Sequence, residues 1–134
     1  MVHYDECSIH TRSRCELISI TEQVSRVVSA SGIGTGMCTV SSLHTTAGIT
    51  INENADPDVV RDIVWMLGRL VPADPSFHHG EGNSDSHIKA SMTGLSVTVP
   101  IKGETPVLGT WQAVYFCEFD GPRQRRFSVT CIGE

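Results

Sequence analysis

Met37-Cys38-Thr39-Val40-Ser41-Ser42-Leu43-His44-Thr45-Thr46-Ala47-Gly48-Ile49-Thr50-Ile51-Asn52-Glu53-Asn54-Ala55-Asp56-Pro57-Asp58 is the stretch on which the fold turns. Met37–Leu43 reads as a strand, and Gly48–Ile51 resumes a short extended run of β-branched residues. His44 therefore falls at a strand end or bend, where a scaffold can aim it. Asp56-Pro57 then opens a helix, with a capping carboxylate followed by proline at the first helical position. Val59, Val60, Ile63, Val64, Leu67 and Leu70 follow at helical spacing, which predicts an apolar stripe packed against the sheet and ended by Pro72.

Upstream, Val2 to Ile20 reads as two strands broken by Thr11-Arg12-Ser13-Arg14. Thr21 offers an N-cap to a helix carrying Val24, Val27 and Val28 on one face and ending near Gly32. Downstream, Pro72 to Ser86 is a long polar connection, a kind of segment that usually carries function. Asp85 or Ser86 can cap a short helix through His87–Met92 that Gly94 stops. The last third alternates as sheet: Leu95 to Ile101, a turn at Lys102-Gly103-Glu104, Gly109 to Phe119, a turn at Asp120-Gly121-Pro122, and Arg126 to Ile132. Helices interrupting groups of antiparallel-looking strands predict an α+β class: two packed, mainly antiparallel β-sheets with two or three flanking helices.

The 134 residues fit a single domain spanning 1–134, with a 40% apolar and 19% charged composition ordinary for a globular protein. A net charge of -5 gives no support for a nucleic-acid surface. No apolar run approaches the roughly 20 residues of a membrane span, and the N-terminal residues lack a signal-peptide pattern, so no membrane partner and a cytoplasmic location are expected. The five cysteines contain no C-x-x-C and suggest neither a disulfide framework nor a Cys-based zinc knuckle.

Imidazole is the commonest ligand for zinc, and catalytic sites typically use three protein ligands. His44, one of His78 and His79, and His87 can supply three, although their spacing matches no tight ligand motif. The alternative is a solvated polar loop and a His44 bonded to backbone at a strand end. Glu53 is either a general base or a solvated carboxylate. Lys89, Arg123, Arg125 and Arg126 offer cations to an anionic small molecule, and Thr45 and Thr46 offer hydroxyls.

His44-Thr45-Thr46-Ala47-Gly48-Ile49, Asn52-Glu53, His87-Ile88-Lys89-Ala90-Ser91, Ser96–Pro100, Gly109-Thr110-Trp111-Gln112 and Phe119–Arg123 together resemble the YjbQ family, described as secondary thiamine-phosphate synthases. The resemblance runs nearly end to end. It implies a compact α+β subunit, a homotrimer, and a metal site held by His44, His79 and His87. Asp85 stands where many members of that family have a histidine. Implied further is a transferase-like enzyme acting on a phosphate- or pyrophosphate-bearing small molecule, with Glu53, Lys89 and Arg123 catalytic and Thr45 placing the anion. Three imidazoles favour zinc, with magnesium the possible alternative that pyrophosphate chemistry suggests. Beside this stand a zinc-dependent hydrolase using metal-bound water and a non-catalytic, metal-binding trimeric protein.

Overall fold

The computed structural model describes residues 1–134. Eleven elements follow in chain order: β1 (Val2–His10), β2 (Glu16–Ser19), α1 (Thr21–Ser31), β3 (Thr35–Ser42), β4 (Ala47–Glu53), α2 (Pro57–Leu70), α3 (Ser84–Thr93), β5 (Ser96–Lys102), β6 (Thr105–Pro106), β7 (Gln112–Glu118) and β8 (Gln124–Gly133). They form a five-stranded sheet in the order β1-β8-β3-β5-β6 and a three-stranded sheet in the order β2-β7-β4. Every pairing is antiparallel. The α+β architecture of two packed sheets flanked by helices is thus the one the sequence predicts.

Alternation places Cys38, Val40, Val99, Ile101, Phe127 and Val129 of the larger sheet on its inner face, against Ala47, Ile49, Val114 and Phe116 of the smaller. Val24, Val27 and Val28 of α1 close this core from the side. The centre of the small sheet, β7, is buried on both faces: Ala113, Tyr115 and Cys117 pack outward against Ala90 of α3. Burying a large aliphatic or aromatic side chain contributes about 1.5–3 kcal/mol, so β7 is the strand on which both layers depend.

Three local readings change. Thr21 does not cap α1; Ile20 occupies the cap, and the Thr21 hydroxyl accepts from the Val114 N–H at 2.9 Å, tying α1 to β7. α3 starts earlier than expected, at Ser84, and neither Asp85 nor Ser86 caps it. α2 begins as predicted, with Asp56 Oδ1 accepting from the Asp58 N–H at 2.9 Å, but none of its residues is buried. Only Val60 and Leu67 pack on the outer cluster, because α3 already occupies much of that side of the small sheet. Trp65, Met66 and Leu70 remain exposed.

No helix is long and apolar enough to cross a membrane. All five cysteines are free thiols. Two of them, Cys38 and Cys117, are pushed up to about 12 by burial, which leaves them protonated core residues.

Candidate functional site

β3 ends at Ser42, whose hydroxyl donates to the Ala47 carbonyl at 2.7 Å and accepts from the His44 N–H at 3.2 Å. This serine folds the bend between the two sheets and so aims His44-Thr45-Thr46. The turn after β7 brings Asp120 and Arg123 to the same place, and β8 adds Arg125. The opposite wall is His79, Glu81 and Asn83 from the polar connection, with His87 from the first turn of α3. Together they enclose an open polar cavity of about 470 Å³.

Behind the strand wall lies a buried ion pair. Glu118 accepts from Arg125 Nε at 2.9 Å and from Arg125 Nη2 on its other oxygen. The Thr11 hydroxyl at 2.7 Å and the Asp120 N–H at 3.0 Å complete its partners. Arg125 Nη2 also donates to Thr46 Oγ1 at 2.8 Å. Burial alone would raise Glu118, but the hydrogen bonds from Arg125 and Thr11 and the Arg125 charge bring it below the usual glutamate range.

His44 is fixed differently. Its Nε2 accepts from the Arg126 backbone N–H at 2.8 Å. An amide can only donate, so Nε2 carries the lone pair and, in the neutral ring, the proton sits on Nδ1. Burial first, and then the Arg125 charge, hold His44 below the ordinary histidine range, which favours that neutral form.

The loop segment of the opposite wall is tied through Asn83, whose Nδ2 donates to Asp120 Oδ2 at 2.8 Å. The His79 and His87 rings meet edge to face with centroids 5.5 Å apart, and His79 Nε2 lies 3.8 Å from Glu81 Oε2. Arg123 donates through Nε to the Asp120 carbonyl at 2.9 Å and through Nη2 to Asp120 Oδ2 at 3.2 Å.

Of the residues singled out in the sequence, His44, Thr45, His79, His87 and Arg123 meet in this cavity. Glu53 does not. It closes the far end of β4, about 20 Å along the strand from His44, where its carbonyl accepts from the Tyr115 hydroxyl at 2.9 Å. Lys89 also points elsewhere: two residues beyond His87, it lies on another face of α3, buried 3.7 Å from Asp85 Oδ2. Asp85 is in turn paired with Arg14 at 3.3 Å. The sequence reading missed Glu118, Thr11, Asn83 and Asp120. Glu118 did leave a signal, a lone carboxylate inside the apolar run Tyr115-Phe116-Cys117-Glu118-Phe119.

The sequence model of the family described as UPF0047 protein YjbQ-like matches residues 5–134. The chain belongs to the YjbQ/UPF0047 family. It is 51% identical over 126 residues to the UPF0047 protein MJ1081 of Methanocaldococcus jannaschii, covering 94% of this chain and 91% of that one. To YugU of Bacillus subtilis it is 44% identical over 126 residues, covering 93% and 96%. A crystal structure of a YjbQ/UPF0047 protein from Clostridium acetobutylicum, described as uncharacterized, superposes with a TM-score of 0.93 at 49% identity, over 96% of this chain and 99% of that one. A YbjQ-like protein from Sulfolobus solfataricus, described as of unknown function, superposes with a TM-score of 0.95 at 32% identity, over 100% and 99%.

These comparisons and the geometry correct the functional expectation. The YjbQ/UPF0047 relatives bear no thiamine-phosphate designation, and the two solved proteins are described without a function. No group of three or more His, Cys, Asp or Glu side chains is arranged to hold a metal. The lone pair of His44 Nε2, which a metal would need, is engaged by Arg126. Arg125 shares its charge with Glu118 and Arg123 with Asp120, which leaves too little positive charge in the pocket to neutralise a pyrophosphate. Thiamine-phosphate synthesis, zinc-dependent hydrolysis and a metal-binding trimer are therefore withdrawn together as functional readings.

Proposed function

We propose that the cavity between the strand wall and the loop wall is a binding site for a single carboxylate group of a small molecule. The observation that carries this reading is the Arg126 N–H to His44 Nε2 hydrogen bond, because it makes the remaining His44 nitrogen a donor. Thr45, exposed at the rim, adds a hydroxyl, and Arg123, about half exposed, keeps guanidinium donors beyond those given to Asp120. So few donors suit one carboxylate better than a polyphosphate.

Isothermal titration with acetate, propionate and butyrate tests the site. Binding to the wild type should weaken about tenfold in Arg123→Gln, the loss expected for one charge-assisted hydrogen bond, and should weaken also in His44→Ala. Equal heats from the wild type and both variants would remove the reading.

The expected homotrimer also belongs to this proposal. It is supported by the apolar face that α2 leaves uncovered. Sedimentation equilibrium should return three chains per particle and a smaller particle for Trp65→Glu; a monomer at micromolar concentration would reject it. The expected cytoplasmic location is supported by the five free thiols.

A further inference from the structure

We infer that the carboxylate taken by this pocket belongs to a zwitterion, an amino-acid-like molecule whose ammonium group lies a few atoms away. The inference rests on the anion-site reading above and adds the second charge.

The first observation is the charge balance of the walls. Arg123, Arg125, Asp120 and Glu81 line the cavity, and the buried Glu118 behind the strand wall adds a third carboxylate to the two guanidinium groups. Each guanidinium is already paired with a carboxylate, Arg123 with Asp120 and Arg125 with Glu118. Glu81 is left with His79 alone, at 3.8 Å. A ligand that brought only a negative charge would meet a wall whose fixed charges already lean negative. A ligand that also brought a cation for Glu81 would restore the balance.

The second observation is independent of charge. The Asn83 amide is oriented by its Nδ2 donating to Asp120 Oδ2 at 2.8 Å, since the reverse orientation would set two acceptors against each other. That leaves Asn83 Oδ1 buried without a hydrogen-bond partner. Buried acceptors are rarely left so, and a polar group unmatched at a pocket wall is where a ligand finds specificity. An ammonium N–H supplies the missing donor and, beside Glu81, the missing charge. Glu81, exposed and flanked by Gly80 and Gly82, lies two residues from Asn83 on the same wall. Asn83 and Glu81 belong to the loop wall, whereas His44 and Thr45 belong to the strand wall. A molecule carrying both charges therefore bridges the cavity.

The test is calorimetric titration of the wild type, Glu81→Gln, Asn83→Ala and Arg123→Gln with glycine, β-alanine and γ-aminobutyrate, beside acetate, propionate, butyrate and n-butylamine. At least one amino acid should bind the wild type about tenfold or more tightly than the carboxylate of the same chain length. That advantage should shrink in Glu81→Gln, whose side chain is exposed and whose fold is not at risk, and in Asn83→Ala. If the amino acids only match the carboxylates, and both weaken in Arg123→Gln, the zwitterion is refuted while the anion site stands. Butylamine binding as well as the amino acids, or no binding by any probe, would overturn both.

Discussion

The strand wall of the pocket, His44 to Thr46 with Arg125, is held by hydrogen bonds that run into the body of the protein, whereas of the opposite wall the loop segment His79 to Asn83 is joined to it through Asn83 and Asp120, and His87 rides on α3. On the strand wall the fold fixes two groups: Arg125 is held through Nε and Nη2 by Glu118 and Thr46, and His44 is committed to one tautomer. On the loop wall His79 and His87 pack edge to face and Glu81 stands near His79 alone, with no hydrogen bond to the strand wall. One wall therefore presents a fixed pattern of donors, and the other has room to answer what it meets.

Removing Glu118 should show the contrast most strongly. Glu118→Ala strands Arg125 as a buried charge without its carboxylate, and such a loss costs about 3–5 kcal/mol; guanidinium unfolding measures it. A loss below about 1 kcal/mol would mean that the ion pair is solvated and the strand wall is no more fixed than its counterpart. Next is the joint that sets the walls against each other. At Gly48 of β4 an added Cβ would lie 2.4 Å from Thr93 Oγ1 and 2.5 Å from the Gly94 carbonyl, so α3 can sit on the strand only with glycine there. Gly48→Ala should destabilise by about 1–3 kcal/mol through overpacking and weaken ligand binding as the walls separate. Unchanged stability and binding would uncouple α3 from the pocket.

Acid titration sharpens the comparison further. The folded state lowers His44 from its ordinary 6.5, so the unfolded chain takes up that proton first as pH falls. The stability His44 contributes is full above about 6.5 and disappears as pH drops through its lowered folded value. Glu118, lowered from 4.5, contributes in the same sense: its share is present above that value and is lost as pH falls through the folded one. Urea midpoints between pH 8 and pH 3 should therefore decline in two stages, and His44→Ala should abolish the first; a two-stage decline that survives in the variant would assign it to another group. The smallest effects belong to the loop wall. His79→Ala and His87→Ala should each change stability by no more than about 0.5 kcal/mol, the range for surface positions. A loss above about 1 kcal/mol would show that the loop imidazoles hold the fold as well.

Much of this architecture was legible because it is local. Alternation marks the strands, Asp56-Pro57 marks the start of α2, and Gly32 and Gly94 mark helix ends, each through a backbone preference acting within a few residues. That His44, His87 and one of His78 and His79 could meet was suggested by their chemistry, but the choice of His79 came through a family resemblance, since no short-range spacing requires it. The Thr11–Glu118–Arg125 network was missed because hydrogen bonds between residues far apart in sequence leave no periodic trace. α2 misled for a related reason: its stripe announces burial but not the partner, and α3 had taken the place. Lys89 was separable from His87 by arithmetic alone, because residues two apart on a helix do not share a face.

The hydrogen bond from Arg126 to His44 has one more consequence. β3 and β8 pair as far as Ser42 and Phe127, and the Arg126 N–H is the next donor toward the pocket. An imidazole stands there in place of a main-chain carbonyl, so the last rung of the ladder is a side chain that a proton can disconnect. The Arg126 amide is a built-in gauge of the cavity: its exchange with deuterated solvent should quicken, relative to neighbouring amides, whenever His44 is protonated or drawn aside.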